Sequence, residues 1–194
     1  MAEAQSFSPI PNFAPQSIPF DIPGGQFDQW SKYLPCEANF VSFKITILRS
    51  HVNPNWNSQV RVSLSNNPVD QHGSKPSERN AFEWIALTLV SDMNGIESVK
   101  SVAGIEQHKN GKTVLGMRLP DEIVNNREYR IRLRWGIEGE VSASIDGGRD
   151  VELKMGKRVT TLNLYASGVK AEFRDLRIGR LGPKPEGRYA CAVS

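Results

Sequence analysis

Hydrophobic and polar residues alternate along most of this chain, and a period of two is typical of half-buried β-strands. The alternation is clear in FVSFKITILRS, from Phe40 to Ser50, and in QVRVSLS, residues 59–65. AFEWIALTLV, residues 81–90, is continuously apolar at its centre, which is typical of a strand that is buried on both faces. Asn110-Gly111 separates two further runs, and this dipeptide predicts a hairpin.

A second hairpin is predicted for REYRIRLRWGIEGEVSASIDGG, residues 127–148. Its two strands place one set of apolar residues on the same side, and we predict that these residues belong to the core: Tyr129, Ile131, Leu133, Trp135, Val141, Ala143 and Ile145. Arg130, Arg132 and Arg134 then point away from that core. Gly136 to Glu140 and Gly147-Gly148 are predicted to be turns.

Roughly nine to twelve short strands with regular turns, and no sustained helical period, predict an all-β fold, a two-sheet antiparallel β-sandwich or barrel. Residues 1–26 contain Pro9, Pro11, Pro15, Pro19 and Pro23, so we expect an extended arm there. Four phenylalanines, Phe7, Phe13, Phe20 and Phe27, are suited to anchoring this arm. We expect the sandwich to span residues 27–182, with a C-terminal tail at 183–194.

Composition narrows the function classes. The chain has 194 residues, 39% hydrophobic and 23% charged, which is the composition of one soluble globular domain. A net charge of +3, with 24 basic and 21 acidic residues interleaved, argues against a nucleic-acid partner. There is no long apolar run to cross a membrane and no signal-peptide pattern, so we expect a cytoplasmic protein. Cys36 and Cys191 are expected to be reduced thiols, with a single disulfide as the alternative.

The last third of the chain carries a family resemblance. The VSASIDG strand, Val141 to Gly147, is followed by VTTLNLYASG and by a closing strand that contains FRDLRI, Phe173 to Ile178. This order resembles the C-terminal half of the concanavalin-A-like lectin and glucanase superfamily. The resemblance implies a jelly-roll sandwich and a carbohydrate ligand, although a shared fold does not establish activity.

Two short stretches are similar to the sugar-binding motifs of galectins. His51-Val52-Asn53-Pro54-Asn55-Trp56 resembles their His-x-Asn-Pro-Arg-Phe strand, with Asn55 in place of the arginine. Trp135-Gly136-Ile137-Glu138 resembles Trp-Gly-x-Glu, but it lies much farther along the chain than in galectins. The resemblance implies sugar-binding roles for His51, Asn53 and Trp56. The alternative is a polar loop with Trp56 as a lid on the core.

The arginine strand has two interpretations. On a convex sheet, Arg130, Arg132 and Arg134 would be solvated and would pair weakly across the sheet, with Glu152, Asp175 or Glu172. On a concave sheet, they would line a ligand groove together with a set of polar residues: Ser142, Ser144, Thr161, Asn163 and Tyr165. Guanidinium groups bind carboxylates and sulfates bidentately, and such a groove would also suit a polyhydroxylated ligand.

Catalytic motifs are sparse. Retaining glycosidases need two carboxylates about 5–5.5 Å apart, and no such pair is evident here. Glu83, beside Trp84 in an apolar strand, is the one catalytic candidate; its alternative role is an outward residue in an ion pair. His51, His72 and His108 share no metal-ligand spacing, and no cofactor is predicted. Asp92 and Asn94 could contribute to a calcium site, but one Asp-x-Asn pair is too little to predict it.

Two functional hypotheses remain. The first is a carbohydrate-binding, lectin-like module with a glycan bound in a groove on one sheet. The second is a small-molecule enzyme, an isomerase, cyclase or lyase, which relies on positioning and leaves few motifs. A homodimer formed through sheet edges is compatible with either.

Overall fold

A computed structural model of the chain describes residues 7–11, 15–51, 53, 55, 57–66, 83–92, 102–109, 112–118, 123–156 and 158–182. Thirteen strands occupy most of these residues, and no helix occurs among them. Within this part of the chain there is accordingly no helix that could cross a membrane. The strands form two antiparallel sheets that face each other as a sandwich, which confirms the predicted fold class.

Sheet A contains seven strands. These are β1 (Phe7–Pro9), β2 (Ser17–Asp21), β4 (Phe40–Ser50), β9 (Glu128–Trp135), β10 (Glu140–Ile145), β11 (Val151–Lys154) and β13 (Val169–Leu181). Their order is β1-β13-β4-β9-β10-β11, and β2 pairs with β13 beside β1. The predicted hairpin of residues 127–148 is β9 and β10, with Ala143 opposite Leu133.

Sheet B contains six strands in the order β3-β12-β5-β6-β7-β8. These are β3 (Phe27–Tyr33), β5 (Ser58–Ser65), β6 (Glu83–Asp92), β7 (Val102–Lys109), β8 (Lys112–Arg118) and β12 (Thr161–Ser167). β7 and β8 pair antiparallel, as the hairpin prediction requires, although Asn110 and Gly111 themselves lie outside the described residues.

The core lies between the sheets, where alternate apolar side chains from both sheets are buried. The β9 residues predicted to be core, Tyr129, Ile131, Leu133 and Trp135, are all buried there, which confirms that prediction. Facing them from sheet B are residues such as Val62, Leu87 and Leu164. Each fully buried side chain of this size contributes about 1.5–3 kcal/mol to stability.

The N-terminal arm is part of sheet A. Residues 17–21 pair with β13, and Phe20 is buried with its ring 5.6 Å from that of Phe173. Phe7 lies against Phe40, at 5.4 Å between ring centroids. Sandwich strands therefore begin before residue 27, the boundary expected from sequence. Proline is tolerated here because β1 and β2 lie at the edge of the sheet, where an amide donor is dispensable.

Cys36 is disulfide-bonded, so the expectation of two reduced thiols is wrong. The other cysteine of the chain, Cys191, lies outside the described residues. Disulfides persist mainly in oxidising compartments, so this bond gives the expectation of a cytoplasmic protein no support.

Candidate functional site

Polar side chains converge on the outer face of sheet B. Strand pairing aligns Gln29, Tyr165, Arg61 and Thr88 in one row across β3, β12, β5 and β6. The adjacent row contains Ser31, Asn163 and Ser63. We call these seven residues the polar face of sheet B. Three strand intervals of about 4.8 Å make the first row about 14 Å long.

The short side chains of this face are deeply set. Asn163 is 6% exposed, Ser63 8% and Thr88 6%, although all three point away from the core. Tyr165 and Arg61 are only partly buried and stand higher beside them. The short polar side chains of the face therefore lie low between larger side chains.

Aromatic rings lie beside these short polar side chains. The Phe27 ring stacks on Tyr165, with centroids 5.6 Å apart and an interplanar angle of 26°. The Arg61 guanidinium lies 5.5 Å from the centroid of Tyr165 and 5.4 Å from that of Trp84. Each such contact contributes about 0.5–1 kcal/mol at an exposed site. The arginine is thereby held between two rings, so its position is fixed before any ligand arrives.

Four buried polar atoms of the face have no hydrogen-bond partner among the described residues: Gln29 Oε1, Ser31 Oγ, Arg61 Nε and Thr88 Oγ1. A buried polar atom without a partner costs about 1–3 kcal/mol, so such atoms are rare unless something else occupies the position. By contrast, Asn163 Nδ2 donates to Ser63 Oγ and Ser65 Oγ, both at 3.3 Å. The hydrogen bonding of the polar face is therefore partly preorganised and partly unsatisfied.

Sequence analysis placed Asn163 and Tyr165 in a candidate groove but did not include Gln29, Ser31, Arg61, Ser63 or Thr88. The sequence QVRVSLS contained the signal, because its alternation places Arg61 and Ser63 on the face of the strand that does not carry Val60 and Val62. What was lacking was the identity of the neighbouring strands, which depends on pairing between distant parts of the chain.

The predicted arginines lie on the other side of the molecule. Arg130, Arg132 and Arg134 are exposed on the outer face of sheet A, whereas Asn163 and Tyr165 belong to sheet B. The predicted groove that contained both sets is therefore wrong as a single surface. Ser142 and Ser144 do accompany the arginines, opposite Arg134 and Arg132 respectively, but Thr161 belongs to sheet B.

The expected ion pairs of these arginines are also absent among the described residues. Asp175 pairs instead with Lys44, at 2.9 Å, and Glu172 with Arg174, at 3.6 Å. Glu152 is opposite Ser142, one strand farther from Arg134. Asp175 and Glu172 thus pair with other cations, and Glu152 forms no ion pair with these arginines.

The two galectin-like stretches do not meet. His51 directly follows β4, whereas the Trp135 amide donates to Asn39 O at the opposite end of that strand. Eleven residues of extended strand separate the two positions by about 35 Å. Trp135 is also a core residue, 7% exposed. These stretches therefore do not form one galectin-like site.

The individual residues of the first stretch have local contacts. His51 Nε2 lies 3.4 Å from Asp21 Oδ1, and Asn53 Oδ1 accepts the Asn55 amide at 2.9 Å. The pKa of the Asp21 carboxyl lies below its usual value, chiefly because Lys170 hydrogen-bonds to it and, less strongly, because His51 does. Trp56 lies outside the described residues.

Glu83 points into the sandwich rather than outward. It is 3% exposed, and its Oε1 lies 3.0 Å from Lys109 Nζ. Its Oε2 accepts the amide of Gly156, in the segment that follows β11. The ion pair given as the alternative role of Glu83 is present, but its outward orientation is wrong. The contacts of Glu83 are those of a residue that links the two sheets.

The described residues contain no group of three or more His, Cys, Asp or Glu side chains that could hold a metal ion. The side chain of Asp92 and the whole of Asn94 lie outside what the structure describes.

The fold is similar to known sandwich proteins at low sequence identity. A congerin II double mutant aligns over 78% of this chain and 99% of its own, with a TM-score of 0.52 and 9% identity. A congerin II single mutant has the same coverage and identity with a TM-score of 0.51. The carbohydrate binding module CBM66 from Bacillus subtilis aligns over 82% of this chain and 84% of its own, with a TM-score of 0.49 and 11% identity.

No family model and no curated protein matches this sequence. The fold is a two-sheet jelly-roll sandwich, as the sequence resemblance implied.

Proposed function

We propose that this protein is a carbohydrate-binding module and that the glycan lies on the polar face of sheet B. The observation that carries the proposal is the row of unpartnered buried atoms, Gln29 Oε1, Arg61 Nε and Thr88 Oγ1, beside Tyr165. A ligand that supplied hydrogen bonds to these atoms would remove their desolvation cost.

The chemistry of the unpartnered atoms favours hydroxyl groups over an anion. Arg61 Nε is a donor, Gln29 Oε1 is an acceptor, and the Ser31 and Thr88 hydroxyls can do both. An anion can only accept hydrogen bonds, so it would use only the donors of this face. Sugar hydroxyls both donate and accept, so they could bond to the acceptors as well. The Tyr165 and Phe27 rings provide an apolar surface for the less polar side of a sugar ring.

The length of the row suits a short oligosaccharide better than a single sugar, since its four side chains span about 14 Å. The lectin-type jelly roll adds support, because it is a fold in which a sheet face is available as a binding surface. The enzyme alternative has less support, since its candidate, Glu83, is held by Lys109 and Gly156.

The proposal can be tested with a neutral glycan array followed by calorimetry on the bound glycan. We expect Arg61→Ala to weaken binding about tenfold or more, because it removes a donor and the residue between the two rings. The matched control is Arg132→Ala, which removes the same side chain from the opposite sheet and should leave the affinity unchanged.

The Thr88→Val variant distinguishes an effect on ligand binding from an effect on folding stability. The change removes an unpartnered buried hydroxyl, so we expect the free energy of unfolding to stay constant or rise by about 1 kcal/mol. Glycan affinity should nevertheless fall. Absence of binding to every neutral glycan by the folded protein, or an equal loss in Arg61→Ala and Arg132→Ala, would reject the proposal.

A further inference from the structure

The outer face of sheet A has a different character from the polar face of sheet B. Arg130, Arg132 and Arg134 project from β9, and Arg177 projects from β13; all four are exposed. Ser42 on β4 and Ser144 on β10 lie between or beside them. We call these six residues the basic face of sheet A.

Strand pairing fixes the spacing of these charges. Ser42 is opposite Arg132 on one side and Arg177 on the other. Two strand intervals separate these arginines by about 10 Å, and neighbouring arginines along β9 are about 7 Å apart. The result is a two-dimensional array of guanidinium groups with the Ser42 hydroxyl between two of them.

Nearby carboxylates are already paired with other cations. Lys44 lies 2.9 Å from Asp175 and 3.5 Å from Glu128, and Glu128 also contacts Arg174 at 3.1 Å. The pKa of Lys44 is raised, first by its hydrogen bond to Asp175, and the pKa of Asp175 is lowered by the same bond. These acids are therefore engaged by Lys44 and Arg174.

Asp146 is committed in the same way. Its Oδ2 accepts from Arg127 at 2.8 Å, and its Oδ1 accepts the backbone amide of Arg130 at 2.7 Å. Among the described residues, no carboxylate lies within ion-pair distance of the four guanidinium groups of the basic face. Glu140 and Glu152 line a cavity of about 490 Å³ together with Arg134, and the charge of Arg177 helps to lower the pKa of Asp175.

We propose that the basic face of sheet A binds an extended sulfated polysaccharide. Guanidinium groups bind sulfate and carboxylate oxygens with two parallel hydrogen bonds. The Ser42 hydroxyl, between Arg132 and Arg177, can bond to a sugar hydroxyl. Each exposed contact is weak, so a polymer that engages several at once is required and an isolated sulfated monosaccharide is too small.

A nucleic acid fits this surface less well. Single strands are held by aromatic rings placed between the cations, and the nearest ring in register, Phe40 opposite Arg134, is packed against Phe7. A net charge of +3 also gives little bulk attraction to a polynucleotide.

The test is retention of the full-length protein on immobilised heparin, with soluble dextran sulfate and neutral dextran as competitors. The variant Arg130→Ala/Arg132→Ala/Arg177→Ala removes the centre of the basic face. The control Lys32→Ala/Arg49→Ala/Arg158→Ala removes three exposed charges elsewhere, and Arg61→Ala tests the other sheet.

We expect the native protein, the control triple variant and Arg61→Ala to be retained and to be displaced by dextran sulfate but not by dextran. The basic-face triple variant should bind about tenfold more weakly and elute at lower salt, with an unchanged unfolding temperature. Equal losses in the two triple variants would show bulk attraction and overturn the proposal. So would failure of the native protein to bind, or equal competition by single-stranded DNA of the same charge.

This experiment is independent of neutral-glycan binding. If the polar face of sheet B binds no sugar, Arg61→Ala and the native protein still give the result above. If only the basic face fails to bind the sulfated polysaccharide, the result of the neutral-glycan array does not change.

Discussion

At the residue scale, Glu83 shows how one buried carboxylate joins the two sheets. It extends from β6 of sheet B to the amide of Gly156, beyond the end of β11 in sheet A, and pairs with Lys109 on β7. A Cβ added at Gly156 would lie 3.1 Å from Glu83 Oε1, a tight contact that would require the carboxylate to move by a few tenths of an ångström.

Replacing Glu83 with glutamine should lower the free energy of unfolding by about 1–3 kcal/mol, since a buried charge-assisted contact is lost. The cost is below that of breaking a fully buried pair because the Lys109 side chain is 50% exposed and can be hydrated. Urea denaturation would measure the difference. Glu138→Gln, at an exposed pair 3.9 Å from Lys154, is the matched control and should change stability by less than about 0.5 kcal/mol.

Unchanged stability in Glu83→Gln would contradict the linking role and return Glu83 to the list of catalytic candidates. The sequence singles out Glu83, because charged residues rarely occur within an apolar strand. It could not determine its direction, since Glu83 begins β6 and its partners come from β7 and from residues far along the chain.

At the element scale, the N-terminal arm contributes two strands of unequal importance. Phe20 in β2 is 5% exposed, whereas Phe7 in β1 is 37% exposed. Phe20→Ala should therefore cost about 3–5 kcal/mol through the cavity that it leaves, while Phe7→Ala should cost about 1 kcal/mol or less. Thermal and urea unfolding of the two variants compare them directly.

Equally small losses of unfolding free energy in Phe20→Ala and Phe7→Ala would mean that the N-terminal arm contributes little to the stability of the sandwich. The prolines made this segment look like a separate arm, because proline disfavours both helices and central strands. Edge strands escape that rule, and which strands lie at an edge is a property of the completed sheet.

The strands illustrate what alternation can and cannot reveal. It correctly separated the inward Tyr129 and Leu133 from the outward Arg130 and Arg132 on β9. It could not assign β9 and β12 to different sheets, because a period of two describes one strand and not its neighbours. The groove that combined Arg132 with Asn163 failed for that reason. The last turn shifted as well: Asp146 and Gly147, not Gly147 and Gly148, have positive φ angles.

At the scale of the whole molecule, the two proposed binding faces lie back to back. Every strand of the basic face belongs to sheet A and every strand of the polar face to sheet B, with the apolar core between them. Packed sheets are about 10 Å apart, so ligands on the two outer faces cannot touch each other across the sandwich.

The two faces should therefore respond differently to salt. Contacts of exposed guanidinium groups are screened as ionic strength rises, because the Debye length falls from about 10 Å at 0.1 M to about 3 Å at 1 M. Hydrogen bonds to buried atoms such as Thr88 Oγ1 are screened far less. We expect retention on heparin to be lost by about 1 M salt, while the affinity for a neutral glycan identified on the array changes by less than about twofold.

Simultaneous binding follows from the same geometry. Protein captured on a sulfated polysaccharide surface at low salt should bind the neutral glycan with the dissociation constant that it has in free solution, and surface plasmon resonance can measure both. Competition between the two ligands would contradict the assignment of separate faces, since the core leaves no path by which one ligand could reach the other's contacts. Independent binding would mean that this sandwich can bridge a neutral glycan and an anionic polymer, with Arg61 and Arg132 acting on opposite sides of one rigid core.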